Sequence, residues 1–113
     1  MKLTDTCAAH LPTSLEEEEL ARAFRALANP HRLAIYLRLL RQGGDSRLVR
    51  SCSLQALIDR LDIGAPTISH HVKELVNAGL ITVEREGKHM RCTLDEGMRR
   101  HMESVFSASA PRA

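Results

Sequence analysis

The sequence lacks tryptophan and has only one tyrosine and two phenylalanines, so that aromatic residues make up 3% of its 113 positions. A core without aromatic bulk must come mainly from Leu, Ile, Val, Ala and Met, which are typical of packed helices. No segment approaches the ~20 consecutive apolar residues of a membrane span, and the first residues, MKLTDTCAAHLPTS, contain no apolar stretch typical of a signal peptide. We therefore expect a cytoplasmic protein with no membrane partner, in which a helical domain over 14–106 lies between flexible segments at 1–13 and 107–113.

The sequence also lacks the usual signatures of enzymes. It has no Gly-rich phosphate loop, no nucleophile elbow and no metalloprotease motif. Ser69 and His70 are adjacent, but neighbours on a helix diverge, and no acidic residue is placed to orient the histidine. The net charge of +2 is too small to identify a nucleic-acid partner by composition alone. These absences predict that the protein is not an enzyme, and they leave its partner to be identified from the positions of particular residues.

Two helices are predicted in the first third of the chain. Ser14 and Glu17 have the spacing of a capping box, followed by the apolar stripe Leu20, Phe24 and Leu27. This stripe is typical either of core packing or of a helix that forms a dimer. Asn29 followed by Pro30 then predicts the start of a second, heavily buried helix that ends before Gly43 and Gly44.

The middle of the chain has the pattern of a helix-turn-helix followed by a wing. SLQALIDRL carries one apolar stripe and is separated by a turn containing Gly64 from a second helix, which begins near Pro66 and ends at Gly79. We expect the inward side of this second helix to consist of Ile68, Val72, Leu75 and Val76. LITVEREGKHMRCTL then alternates apolar and polar residues around a Glu86-Gly87-Lys88 turn, which predicts a β-hairpin. A last helix is predicted from Asp95 to Phe106, which gives a mainly α winged helix-turn-helix of about five helices.

The inward stripe leaves a set of compact or cationic hydrogen-bonding side chains on the outward side of the second helix. These residues are Thr67, Ser69, His70 and Lys73. A recognition helix places such side chains in the major groove of DNA, and basic residues on the hairpin then reach the adjacent backbone. The basic residues of the hairpin are Arg85, Lys88, His89 and Arg91. The alternative interpretation is a solvated charged face, which Glu74, Glu84 and Glu86 would make less positive.

Two segments together resemble the ArsR/SmtB family of bacterial winged-helix repressors: LARAFRALANPHRLAIYLRLL, and SLQALIDRLDIGAPTISHHVKELVNAGLITVEREGKHMRCTL. The resemblance covers about residues 15 to 106. It implies a homodimer formed by the first and last helices, an inverted-repeat operator in double-stranded DNA, and release by an inducer. The DNA-binding residues that it implies are Thr67, Ser69, His70, His71, Lys73, Arg85, Lys88 and Arg91. The implied dimer interface is Leu20, Phe24, Leu27, Met98, Met102, Val105 and Phe106. Because winged helices also occur in modules that never bind DNA, a protein-interaction module is the alternative function.

The inducer is left open by the sequence. Thiolate sensors of the family carry two cysteines one residue apart before the recognition helix, whereas SCSLQAL has Cys52 alone. Asp95, His101 and Glu103 do not have the spacing of the family's zinc pairs on the last helix. Cys7, Cys52 and Cys92 form no Cys-x-x-Cys motif and are expected to be thiols. Three alternatives stay open for them: structural side chains, a site for arsenic(III) or another thiophilic metal ion, or a redox pair.

Overall fold

A computed structural model describes residues 15–42 and 50–108 of the chain. Five helices and three strands lie within these ranges. The helices are α1 (Leu15–Leu27), α2 (Pro30–Leu40), α3 (Leu54–Arg60), α4 (Ala65–Asn77) and α5 (Glu96–Ala108). The strands are β1 (Ser51–Ser53), β2 (Ile81–Glu86) and β3 (His89–Leu94). No helix in the described ranges is long and apolar enough to cross a membrane.

The predicted helix boundaries rest on specific capping contacts. The Asn29 side chain accepts hydrogen bonds from the backbone amides of His31 and Arg32, at 2.9 and 3.1 Å. Pro30 begins α2, where its missing N–H leaves no intrahelical hydrogen bond unmade. Asp95 caps α5 by accepting from the amide of Met98 at 2.8 Å. Since these caps satisfy amides that lack a partner within the helix, they fix where each helix begins.

Gly79 ends α4 and turns the chain into the wing. Its φ of +80° is the left-handed conformation that glycine adopts without the steric cost of a Cβ. The amide of Gly79 donates to the Val76 carbonyl at 3.0 Å, and the amide of Leu80 donates to the Leu75 carbonyl at 3.0 Å. These two bonds form a Schellman motif. Leu75 and Leu80, the two residues that its longer hydrogen bond joins, are both fully buried in the core. The orientation of α4 relative to β2 is therefore fixed by a short, hydrogen-bonded connection.

The three strands form one antiparallel sheet in the order β1-β3-β2. β2 and β3 are the predicted hairpin, with Glu86 opposite His89 and a two-residue turn at Gly87 and Lys88. Gly87 has a φ of +66°, whereas no non-glycine residue of the described ranges has a positive φ, as expected for a type II′ hairpin turn. One face of the sheet packs on the helices, and the buried strand residues are Ile81, Cys92 and Leu94.

The structure differs from the sequence predictions in several places. β1 was not predicted, because three residues with the sequence SCS carry no hydrophobic alternation. Val76 was predicted to face inward, yet 36% of its surface is exposed, and His71 at 8% takes the inward position instead. Leu33, expected in a heavily buried helix, is 39% exposed.

The last helix continues two residues past the predicted end, to Ala108. The predictions for Ser14, Gly43 and Gly44 concern residues outside the described ranges.

Candidate nucleic-acid interface

The two sides of α4 differ sharply in polarity. Ile68 and Leu75 are fully buried and Val72 is 6% exposed, so one apolar stripe holds the helix against the core. The outward side carries the four side chains that the sequence predicted there, and all of them are exposed: Thr67, Ser69, His70 and Lys73. The helix therefore presents hydroxyl, imidazole and ammonium groups on a rigid support, as direct contact with base edges and phosphates requires.

The N-terminus of α4 is also available to a partner. Its N-cap is Gly64, which forms no side-chain capping hydrogen bond. Ala65, Pro66 and Thr67 of the first turn are exposed, and Pro66 has no amide hydrogen to leave unpaired. Uncapped amides at the positive end of a helix dipole attract phosphate groups. This end of α4 therefore suits the negatively charged backbone of DNA.

His71 faces inward and supports α4 instead of extending from it. The residue is 8% exposed, and its ring packs edge-on against His31, with ring centroids 5.4 Å apart. Nη1 of Arg32 lies 3.4 Å from Nδ1 of His71, and Nε of Arg32 donates to the Ala26 carbonyl at 2.8 Å. Burial, followed by the nearby charge of Arg32, lowers the pKa of His71, so the ring is neutral at pH 7 and its nitrogen accepts from the guanidinium. The side chain that resemblance placed among the DNA-binding residues thus joins α4 to α2.

Arg32 was not singled out from the sequence. It lies in a helix that also contains Arg38, so no pattern marks it, and its contact with His71 joins residues 39 positions apart along the chain. Only the packing of α1, α2 and α4 brings the three together.

The wing exposes fewer free cations than its sequence suggests. Arg85, Lys88 and His89 are exposed near the tip of the hairpin. Arg91, in contrast, donates from Nε to the Glu86 carboxylate at 3.1 Å and from Nη1 to Ser51 Oγ at 2.9 Å. These contacts direct Arg91 along the polar face of the sheet and neutralise part of its charge.

The predicted interface helices α1 and α5 lie side by side. The rings of Phe24 and Phe106 meet edge to face with centroids 5.9 Å apart, and Phe106 remains 66% exposed. Val105 is 36% exposed, whereas Met102 at 7% is part of the core of the protomer. Leu20, Leu27 and Met98 are partly buried against the same core. The exposed part of the predicted interface is therefore concentrated at the C-terminal half of α5.

The structure brings two of the three cysteines together. Cys52 in β1 lies directly opposite Cys92 in β3. Both are free thiols; Cys52 is partly exposed and Cys92 is fully buried. Cys7 lies outside the described residues. The described ranges contain no group of three or more His, Cys, Asp or Glu side chains placed to hold an ion.

Comparison with known sequences gives a consistent set of relatives. Residues 27–84 match the model of a helix-turn-helix domain family. Over 70 residues the chain is 39% identical to the uncharacterized HTH-type transcriptional regulator MJ1325 of Methanocaldococcus jannaschii, covering 62% of this chain and 71% of that one. Over 66 residues it is 39% identical to the HTH-type transcriptional repressor SmtB of Mycobacterium tuberculosis, covering 58% of this chain and 43% of that one. The alignment with SmtB thus spans less than half of the length of that protein.

Solved structures share the same architecture. The ArsR family transcriptional regulator RHA00566 aligns with a TM-score of 0.63 at 25% identity, covering 80% of this chain and 86% of that one. A homodimeric winged helix-turn-helix DNA-binding domain, Mb0332 of Mycobacterium bovis, aligns with a TM-score of 0.60 at 23% identity, covering 88% of this chain and 89% of that one. At 23% identity, the similarity to Mb0332 shows the fold alone, which is a winged helix-turn-helix.

Proposed function

Because the chain belongs to the ArsR/SmtB family of winged helix-turn-helix DNA-binding regulators, we propose that it represses transcription as a homodimer bound to an inverted-repeat operator. An inducer then releases it from the DNA. The family membership also separates this protein from enzymes, in agreement with the absence of catalytic motifs from its sequence.

The observation that carries this proposal is the outward face of α4. Thr67, Ser69, His70 and Lys73 are exposed together on a helix whose other side is fixed in the core. In helix-turn-helix proteins the N-terminal part of the second helix contacts base edges in the major groove, which is where these residues lie. Thr67, Ser69 and His70 are proposed to contact bases, and Lys73 to contact a phosphate. His71 is left out of this set because its ring is buried against His31.

Arg85 and Lys88 are the proposed contacts of the wing. Both are exposed, and the hairpin extends from the end of α4 through the hydrogen-bonded Gly79–Leu80 connection. Arg91 is a weaker contributor in this proposal because Glu86 already compensates part of its charge.

The apolar surface at Phe106 supports a dimer formed through α1 and α5. A phenylalanine that is 66% exposed beside a second aromatic ring is costly in water, and burial in a partner subunit removes that cost. A two-fold pair of recognition helices also doubles the base contacts of a single small module, with half-sites centred about 34 Å apart.

Selection of binding sites from a pool of random DNA duplexes tests the DNA-binding part of the proposal. We expect enrichment of an inverted repeat, and an affinity for it that falls steeply with added salt because bound counterions are released. Enrichment of no sequence, together with binding that does not depend on salt, would instead favour the alternative of a winged helix used for protein interaction.

The dimer is tested separately by Phe106→Asp, which places a charge on the exposed apolar surface without disturbing the buried core. We expect sedimentation to show a monomer for this variant. Leu33→Asp is the matched control, since Leu33 is also exposed, at 39%, but lies on α2 outside the proposed interface. A Phe106→Asp protein that remains dimeric would move the interface away from α5.

A further inference from the structure

A cavity of about 220 Å³ lies between α1, α2 and α4. It meets α4 at its C-terminal end, at Glu74, Asn77 and Ala78, whereas the proposed base contacts belong to the N-terminal part of that helix. Ala26 of α1 and Ala78 of α4 both line the cavity, and their methyl side chains leave space that larger residues would fill. The cavity is smaller than the roughly 300–1,000 Å³ of pockets for drug-sized ligands, so it suits a small molecule.

Three arginine side chains line this cavity. Arg22 and Arg25 lie three residues apart on α1 and therefore share one face of it, and both are exposed. Neither forms an ion pair with any residue that the structure describes. Arg32 of α2 is held in place, because its Nε donates to the Ala26 carbonyl at 2.8 Å and its Nη1 lies 3.4 Å from His71 Nδ1. Its Nη2 has no hydrogen-bond partner among the described residues and stays available to a ligand.

Glu74 is the one acidic residue among the described residues that line the cavity. None of the three arginines forms an ion pair with it. Three guanidinium groups and one carboxylate give these lining residues a net charge of +2. Walls of low dielectric constant concentrate the field of such charges and raise the local concentration of anions. The cavity thus has an excess of positive charge that no described side chain compensates.

We propose that this cavity binds a small dianion, a dicarboxylate or a phosphate, through Arg22, Arg25 and Arg32. The planar guanidinium group of arginine presents paired N–H donors at the spacing of two carboxylate or phosphate oxygens. Two negative charges match the net charge of the lining residues. Asn77 provides an amide that donates to an oxygen of the ligand or accepts from a hydroxyl group.

Glu74 limits the affinity of this site. Because its carboxylate lines the same cavity, it repels a bound dianion. Glu74→Gln removes this repulsion with little change of shape, so it should tighten the binding of the dianion. Loss of Arg22 or Arg25 should weaken it.

The cavity also contacts the support of α4, and this step of the inference rests on the proposed function. Arg32 lines the cavity and contacts His71, which packs on the inward side of α4. A dianion held by α1 and α2 repels Glu74 on α4 and so opposes the packing of α4 in its present position. We expect the bound dianion to weaken DNA binding about 5- to 150-fold, the usual range of coupling between two sites. The inducer of the proposed repressor would then be a small dianion.

The direct test is isothermal titration calorimetry of the full chain, without DNA, with succinate and with inorganic phosphate. The titrations are made at mildly alkaline pH, where both ions carry two negative charges, and at an ionic strength held constant with sodium chloride. We expect saturable binding of at least one of the two ions at millimolar concentrations. The ion that binds more tightly identifies the ligand as a carboxylate or a phosphate.

Variants of the lining residues locate the bound ion. Arg22→Gln and Arg25→Gln should each weaken binding about tenfold or more, as expected for the loss of a charge-assisted hydrogen bond. Both residues are exposed, so the variants should remain folded, which circular dichroism checks. Glu74→Gln should instead bind the ion more tightly.

Arg100→Gln and Glu84→Gln are the matched controls. They make the same two changes of charge at exposed positions of α5 and β2, outside the cavity, and should bind the ion as the unaltered chain does. No saturable binding of either ion would overturn the proposal. The same holds for binding that Arg100→Gln weakens as much as Arg22→Gln and Arg25→Gln do, since this would show a general attraction of anions to surface charge.

Fluorescence anisotropy on the duplex obtained by selection separates the site from the proposed function. The ion that binds should release the DNA from the unaltered chain but not from Arg25→Gln, at equal ionic strength. A chain that binds the ion but never binds DNA would contradict the proposed function and leave the anion site standing. Equal DNA binding with and without the ion would contradict only the coupling. If Arg22→Gln and Arg25→Gln weaken DNA binding while the unaltered chain binds neither ion, the arginines contact the DNA backbone and the cavity is not a ligand site.

Discussion

The outward face of α4 and the wing carry similar sets of polar and cationic side chains, but the structure holds them in different ways. On α4, exposed residues such as His70 and Lys73 extend from a helix whose opposite side is anchored by fully buried Ile68 and Leu75. On the wing, Arg91 is engaged by Glu86 and Ser51 within the same sheet. The exposed side chains of α4 are available to a partner. On the wing, part of the positive charge is already compensated by contacts within the sheet.

This difference leads us to expect different contributions to DNA binding from α4 and from the wing. Sequence preference should depend on α4, because base edges are recognised by hydrogen-bonding groups held in fixed positions. The wing should contribute attraction to the DNA backbone, which carries no sequence information.

Removing the support of α4 should have the largest effect. Leu75→Ala empties a fully buried position and should lower the free energy of unfolding by about 2–5 kcal/mol, measured by urea denaturation. Val76→Ala is the matched control. Val76 is next to Leu75 in the sequence but is 36% exposed, so we expect a much smaller loss of unfolding free energy. Equal losses for the two variants would mean that α4 is not anchored through Leu75.

Truncating a proposed base contact should change sequence preference. His70→Ala is expected to weaken binding to the selected operator by about 1–3 kcal/mol and to relax the preference at particular base pairs. His89→Ala, on the wing, should leave the preference unchanged. Anisotropy titrations against the operator and its single-base variants measure both effects. A shift in preference caused by His89→Ala but not by His70→Ala would reverse the proposed division.

Removing a phosphate contact should weaken binding to every duplex alike. Lys73→Ala is expected to reduce the slope of log affinity against log salt by about 1, on operator and random DNA equally. Arg91→Ala should change the slope less, because Glu86 already compensates part of the charge of Arg91. A larger change for Arg91→Ala would show that this ion pair opens when DNA binds.

Removing the ion-pair partner of Arg91 should have the smallest effect on DNA binding. Glu86→Gln removes the carboxylate that lies 3.1 Å from Arg91 Nε, and it should tighten binding to any duplex by roughly 0.2–1 kcal/mol, the usual size of an exposed ion pair. Glu103→Gln, which breaks an ion pair with Arg99 on α5, is the matched control and should leave DNA binding unchanged. The same titrations at two salt concentrations provide the measurement.

Local signals were sufficient to predict most of the helices and the hairpin. Asn29 with Pro30, Gly79 after an apolar stripe, and Asp95 before the last helix each act through contacts with residues a few positions away. The alternation of β2 and β3 around Gly87 is equally local. Prediction succeeded for these elements because the interactions that define them lie within a few residues along the chain.

Prediction from sequence failed where a residue's surroundings come from distant segments. His71 and Val76 are both compatible with a helical stripe that contains Ile68, Val72 and Leu75, and the apolar residue was the natural choice for the inward position. The structure places His71 inward because Arg32 and His31, on α2, give the imidazole a polar and aromatic pocket. Hydrophobicity alone does not reveal such a partner.

The sequence by itself determined that this chain forms a winged helix-turn-helix with Thr67, Ser69, His70 and Lys73 outward, because helical periodicity and capping are local properties. The tertiary structure decided which cations are free, since the Arg91–Glu86 contact depends on the register of two strands. It also decided that Cys52 meets Cys92. The short strand β1 has no pattern of its own, and it becomes a strand only because β3 offers an edge to which its backbone can hydrogen-bond.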